Sequence, residues 1–271
     1  MASTCAGSQL QCRRASRIPA GYTSGFVQTR RLARAGRRQA VVRAELSREA
    51  AQAERRRDIK YRLFRLASTT NRGRVCPPPK RDEIIGLTQQ LVGLREETVT
   101  VMGSPALAEG RWVLVYSSVD PLRSSPMFWA LQSGLAGDSN VAQQALSLIA
   151  SLPGIEIGAI TSDVSLGDGQ LVSSVELSTF PGIRGKLVTV SYCTASPPRT
   201  LALTVQRTTI EGANFLAPIL DGVALPVRSL IEIVRGEGRA DVALETDYVD
   251  SEIMVCRAVP EGAVFVYQRA R

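Results

Sequence analysis

From residue 110 to residue 269, apolar side chains recur at every second position in short runs, most of them closed by Gly, Pro or an acid–Gly pair. That period of two constrains the fold more than any other feature, because it demands strands over most of the chain. It predicts strands at roughly 111–118, 156–166, 170–180, 184–195, 200–210, 229–235, 240–248, 252–257 and 263–269. Asp168-Gly169, between the second and third runs, is a tight-hairpin signal. The first run, GRWVLVYSS at 110–118, is unusual. Trp112, Leu114 and Tyr116 project to one side, and Val113 and Val115 to the other. A sheet with one wet face alternates apolar and polar, so this strand must be covered twice. Eight or nine consecutive antiparallel strands then predict a closed barrel or a sandwich. A barrel with helices packed outside it would cover both faces of the first strand, and an eight-stranded barrel can hold one small ligand.

Upstream the spacing is helical. Leu46, Ala50, Ala53, Ile59, Leu63 and Leu66 approximate one stripe over 46–69, and Asn71-Arg72-Gly73 supplies a stop. Pro77-Pro78-Pro79 breaks the chain before a second helix at about 80–95, with Ile84, Leu87, Leu91 and Leu94 on one face. The fold class is therefore mainly β with N-terminal helices, an α+β arrangement. Two insertions interrupt the strands, at 124–152 and 213–227.

Charge is divided unevenly. Residues 1–44 hold nine arginines and no acid, whereas the whole chain carries +8, so residues 45–271 are nearly neutral. An acid-free leader rich in Arg, Ser and Ala has the composition of an organelle transit peptide. Val42-Arg43-Ala44 resembles a Val-x-Ala processing site, so cleavage is expected near Ala44, with 1–44 a disordered leader and 45–271 one domain. The competing reading, a basic arm for nucleic acid, fits less well, because such arms favour Lys in tighter runs. Cys76, Cys193 and Cys256 are too widely spaced for a disulfide framework or a metal motif. The chain has no histidine, which removes Ser–His–Asp and Cys–His catalysis and His-ligated metals together. No apolar run reaches the ~18 residues of a membrane span.

Several pieces together are specific. Ile59-Lys60-Tyr61-Arg62-Leu63, Asn71-Arg72-Gly73, Gly110-Arg111-Trp112 through Tyr116-Ser117-Ser118, Thr246-Asp247-Tyr248-Val249-Asp250 and Phe265-Val266-Tyr267 stand in a fixed order behind an Arg-rich leader. Over 58–269 the chain resembles the plastid lipid-associated proteins, also called fibrillins (PAP/fibrillin). The resemblance implies a lipocalin-like antiparallel β-barrel, with helices at 46–95 and the barrel at 110–269. It also implies a non-catalytic chloroplast protein of plastoglobules or thylakoids, which binds carotenoids, prenylquinones or acyl lipids and needs no cofactor or metal. The family's late strands commonly read Leu-Arg-Ile-Ser-Arg-Gly; here Met254 stands for the first arginine and Ala258 for the glycine, while Arg257 keeps the second.

In such a barrel Trp112 would plug the narrow end, with Gly110 letting the backbone bend there and Gly73, Asp247, Tyr248 and Asp250 as fold-defining positions. An arginine from a late strand would lie across the indole, Arg257 first and Arg269 second. Leu114, Tyr116, Phe180 and Tyr192 would line the cavity. The acids Glu245, Asp247, Asp250 and Glu252 alternate faces along a strand, so they read as pairing with Arg257 or capping strand ends rather than as catalysts or metal ligands. Met127, Phe128 and Trp129, with Phe215, Leu216, Ile219 and Leu220, would rim the mouth and touch a lipid surface; the alternative is that they fold back as a plug. Two functions follow: a lipid holder with an open cavity, or a structural coat of plastoglobules that partners isoprenoid-synthesis enzymes and fills its own barrel. No nucleic acid is implied for the mature chain.

Overall fold

The computed structural model describes residues 23–95, 104–129, 156–179, 183–197, 199–212, 224–225, 241–259 and 261–271. Helix α1 spans Thr23–Ala67, and α2 spans Pro78–Gly93 with Pro at its first turn. α1 therefore starts well upstream of the expected position. Arg and Ala are the commonest residues of 23–44, and both are good helix formers. A four-residue helix, α3 (Pro105–Ala108), precedes the first strand; the sequence pattern does not announce it.

The compact unit Glu54–Arg271 contains the sheet. Its strands are β1 (Gly110–Ser117), β2 (Glu156–Ser165), β3 (Gln170–Thr179), β4 (Ile183–Ser196), β5 (Thr200–Glu211), β6 (Ala224–Leu225), β7 (Asp241–Val249), β8 (Ile253–Val259) and β9 (Val264–Arg269). Eight of the nine expected strands fall within a few residues of these bounds, while the ninth, at 229–235, lies outside the described residues. All pairings are antiparallel, and β1 pairs with both β2 and β9. Because β4 also pairs with β5, the order β4-β3-β2-β1-β9-β8-β7-β5 returns to its start as a ring of eight strands. β6 is a two-residue addition on the C-terminal half of β5.

Two cores follow from this topology. One draws residues from all eight ring strands, among them Trp112, Leu114, Ile160, Val175, Leu187, Leu203, Leu244, Met254 and Phe265, and so marks the inner face. The other joins Ile59 and Leu63 of α1 and Ile84, Leu87 and Leu91 of α2 to Tyr116, Tyr248, Ile253, Val255 and Val266. It lies on the outer face of β1 and β7–β9. Both faces of β1 are thus covered, as its unbroken apolar run requires.

Two β-bulges sort residues between these cores. In β1 the register slips between Leu114 and Tyr116, leaving Val115 unpaired; in β7 it slips between Thr246 and Tyr248 at Asp247. Each extra residue reverses the alternation beyond it. Tyr116 and Tyr248, which strict alternation would aim inward, instead meet the helices. Tyr116 is consequently no part of an interior wall, contrary to its expected place.

Gly73 links the helical hairpin to the sheet. It has φ +92°, and Ser117 donates its N–H to the Arg72 carbonyl at 3.0 Å. A Cβ at this position would fall 1.9 Å from the Ser117 carbonyl oxygen. Only glycine satisfies both the backbone angle and the contact. Gly73→Ala is therefore expected to lower unfolding free energy by about 2–4 kcal/mol, read from urea denaturation at unchanged m-value.

Candidate functional site

Trp112 and Leu114 face into the ring, and Trp112 is fully buried. Its indole Nε1 donates to the Ala108 carbonyl at 2.8 Å, which fastens α3 beneath the start of β1. The directly opposed residue on β9 is Arg269, whose guanidinium carbon lies 4.3 Å from the indole ring centre. Arg269 Nη1 donates to the Glu109 carbonyl at 2.7 Å and Nη2 donates to that of Leu107. The cation–π contact and the two carbonyls hold the guanidinium over the tryptophan. Gly110 makes room for it: φ is +107°, and a Cβ there would stand 2.9 Å from Nη1.

Arg257, the first choice for this place, points elsewhere. Met254, Cys256 and Ala258 belong to the inner core, so the alternating Arg257 projects outward. It donates to buried Asp247 at 2.6 Å, the carboxylate that also faces Arg199 at 3.5 Å. The expected pairing of Asp247 with Arg257 is thus the geometry found, while the arginine over Trp112 is Arg269. Lysine in place of Arg269 keeps the charge but loses the planar fork. Arg269→Lys is expected to cost about 1–2 kcal/mol of stability, measured by denaturant unfolding followed through tryptophan fluorescence.

Other expected wall residues separate. Tyr192 lies between the inward Ser191 and Cys193 of β4 and is 60% exposed, so it is outside the ring. Phe180, and the rim residues Phe215, Leu216, Ile219 and Leu220, lie outside the described residues. Met127, Phe128 and Trp129 are buried in the inner core and do not form an exposed lipid-contacting rim. A 3₁₀ turn at Pro121–Ser124, capped by Asp120, and a bond from Phe128 N–H to the Ser125 carbonyl at 3.0 Å double the chain back. Trp129 then packs on Phe265 of β9 with ring centres 5.1 Å apart.

What sequence reasoning missed is the polar content of the inner face. Ser162, Ser173, Thr189, Ser191 and Thr208 are all buried. Their signal is present in the chain: hydroxyl residues at the inward positions of otherwise apolar runs. Tyr267 also faces in, and burial raises the pKa of its hydroxyl, which lies beside Ser162 and Ser124. Among the described inward-facing strand residues Arg269 is the one that carries charge, and its two terminal nitrogens are occupied.

The acids build the outer shell. Asp250 closes the β7–β8 turn: Oδ1 accepts from the N–H groups of Glu252 at 2.8 Å and Ile253 at 2.9 Å, and Oδ2 accepts from the Tyr248 hydroxyl at 2.8 Å. Lys60 of α1 reaches the same Oδ2 at 3.1 Å and also bonds Glu252. Burial alone would raise the Asp250 pKa, but these N–H donors, the hydroxyl and the ammonium together outweigh it and lower the pKa. A carboxylate with a lowered folded pKa stabilises the protein above its unfolded pKa of about 3.9, and that contribution disappears as pH falls through the folded value. Asp250→Asn should accordingly be destabilised at neutral pH, and the gap from wild type should narrow as pH drops from about 5 towards 3, seen in thermal midpoints across that range.

Clefts open beside the helices. One of about 430 Å³ is lined by Arg57, Lys60, Tyr61, Phe64, Glu252 and Gln268, and one of about 400 Å³ lies between α2 and the Asp247–Arg257 pair. In the first, Lys60 is committed to its two carboxylates; in the second, Arg257 is committed to Asp247. No three His, Cys, Asp or Glu among the described residues stand together as a metal site, and no described helix is long and apolar enough to cross a membrane. The family model PAP_fibrillin matches residues 57–268. No curated protein and no solved structure matches the chain.

Proposed function

The chain belongs to the PAP_fibrillin family of plastid lipid-associated proteins, and from that premise we propose that it is a lipocalin-like, non-catalytic lipid holder of the chloroplast. The observation that carries this reading is a ring of eight strands whose inner face is apolar over most of its area and capped by Trp112 and Arg269. Such an interior gains affinity from area alone. Each 100 Å² of apolar ligand surface removed from water contributes about 2.5 kcal/mol, without a specific chemical partner. An isoprenoid chain, as in carotenoids and prenylquinones, or an acyl chain meets this requirement. Plastoglobules and thylakoids are where a protein with such cargo would work. The Arg-rich, acid-free start of the chain is consistent with import into that compartment.

The packing of Met127, Phe128 and Trp129 inside the ring favours a second reading, in which the chain fills its own interior and serves as a coat or scaffold of plastoglobules beside isoprenoid-synthesis enzymes. The two readings differ in cargo. Protein isolated from native plastids in mild detergent is expected to carry a neutral lipid at near-stoichiometric amount, identified by mass spectrometry of the extract. Protein that emerges free of pigment, quinone and glycerolipid would leave the scaffold reading in place and remove the holder.

A further inference from the structure

The hydroxyls of the inner face are not scattered. Trp112 is paired across β1–β2 with Ser162, Ser162 across β2–β3 with Ser173, Ser173 across β3–β4 with Thr189, and Thr189 across β4–β5 with Thr208. One register line therefore carries a hydroxyl on each of four adjacent strands, beginning at the capped tryptophan. Register partners share a face, so the four side chains form a continuous row inside the ring. Because strands in a closed sheet tilt against its axis, such a row winds as a spiral. Ser191, two residues beyond Thr189 on β4, is the diagonal neighbour of Ser173 and widens the row on its β3–β4 side.

A hydroxyl row inside a closed sheet can have a purely internal use, in which the hydroxyls bond one another. Part of the row does that, as does a pair on the opposite face. Thr189 and Thr208 are 3.1 Å apart, and on the other face of the same sheet Thr161 and Ser174 are 2.7 Å apart. Ser173 and Ser191 differ. They are 1% and 0% exposed, and neither Oγ has a hydrogen-bond partner. Val would fill an apolar strand face better and leave no buried hydroxyl to satisfy. Two adjacent buried hydroxyls without partners point to an oxygen or nitrogen supplied from outside the chain. Trp129 Nε1, a donor only, is also buried in the inner core without a partner.

We propose that Ser173 and Ser191 form the polar subsite of the interior and select a neutral lipid whose end carries an acceptor oxygen, a carbonyl above all. The inference rests on the lipid-holding reading and adds a head-group preference to it. Charge decides the class. A carboxylate or phosphate placed against this row would lose its hydration beside neutral hydroxyls; Arg269, the charged residue among the described inward positions, lies over Trp112 with both terminal nitrogens on carbonyls, and only its buried Nε is without a partner. A plain hydrocarbon would leave both hydroxyls unpaired. A carbonyl oxygen has two lone pairs, and diagonal cross-strand neighbours stand about 7 Å apart at Cα and closer at Cβ, so both hydroxyls can reach one oxygen or the two oxygens of an ester.

The test uses the full chain and three probes of equal length: 2-dodecanone, dodecane and dodecanoate. Trp112 and Trp129, the two tryptophans of the sequence, both sit in the inner core, so their emission reports entry. 2-Dodecanone is expected to bind about tenfold more tightly than dodecane and more tightly still than dodecanoate. In Ser173→Ala/Ser191→Ala the ketone should fall to the affinity of the alkane, with dodecane binding unchanged. Equal affinity for all three probes in wild type, or a ketone preference that survives in the folded double variant, overturns the head-group inference and leaves the holder intact. Tightest binding of dodecanoate overturns it as well. Failure of every probe to bind overturns the holder reading and the inference with it. The wild-type series decides the matter even where the double variant does not fold.

Discussion

Pairing of β1 with β9 is the contact on which the rest of the structure depends. It joins the first ring strand to the last, so every other strand keeps two neighbours and the sheet acquires an inside. It also brings Arg269 opposite Trp112, because the two are register partners. The cap is thus a direct consequence of closure, with no additional loop needed to deliver the cation. The long β4–β5 hairpin, paired from Lys186–Glu211 to Ser196–Thr200, completes the ring on the far side.

Closure alone would crowd the interior. Strict alternation along β1 and β7 aims Tyr116 and Tyr248 inward, where two more rings would compete for space with Trp112, Phe128, Trp129, Phe265 and Tyr267. The bulges at Val115 and Asp247 move both tyrosines to the outer face. There Tyr248 donates to Asp250, which in turn holds Lys60 of α1. Tyr116 is buried under the helices, and its hydroxyl pKa is pushed up to about 12, chiefly by that burial. One residue inserted into each strand therefore relieves the inside and supplies the outside with the aromatic surface that the helices cover.

The eight ring strands were legible in place and order because period two and the Gly-containing turns are local signals. Eight runs match strands within a few residues, and Asp168-Gly169 is the β2–β3 turn. Side-chain direction was legible only where the alternation is unbroken. Leu114 lies before the bulge and faces in, whereas Tyr116 lies after it and faces out; no local composition marks Val115 as the extra residue. Arg257 was mistaken for the cap for a related reason. Its strand reads Ile253-Met254-Val255-Cys256-Arg257-Ala258, and only the long-range pairing with β7 and β9 reveals that the even positions face in. Met127-Phe128-Trp129 shows the opposite limit. An apolar triplet in an insertion has the same composition whether it covers lipid or fills a core, and the turn at Pro121–Ser124 decides the matter.

The distribution of charge connects this fold to its chemistry. The ion pairs at Asp247 and Asp250 bind the helices, the β7–β8 turn and Arg199 together on the outer side of the sheet. Hydroxyls take the corresponding polar positions within. Hydroxyls can stay in a dry interior because they are neutral and can bond to one another, whereas a carboxylate would have to take up a proton or recruit a cation. An interior of this kind discriminates by what it refuses. On the proposed reading it would accept apolar length with little selectivity and disfavour charge, since the described inward cation, Arg269, is held over Trp112 by two carbonyls. The chain contains no histidine that could titrate there near neutrality. The thiols of Cys193 and Cys256 are pushed by burial up to about 11 and about 12, so they too remain neutral at ordinary pH. Because no described inward residue titrates in this range, the proposed reading gives cargo affinity no reason from these residues to vary with pH between about 6 and 8.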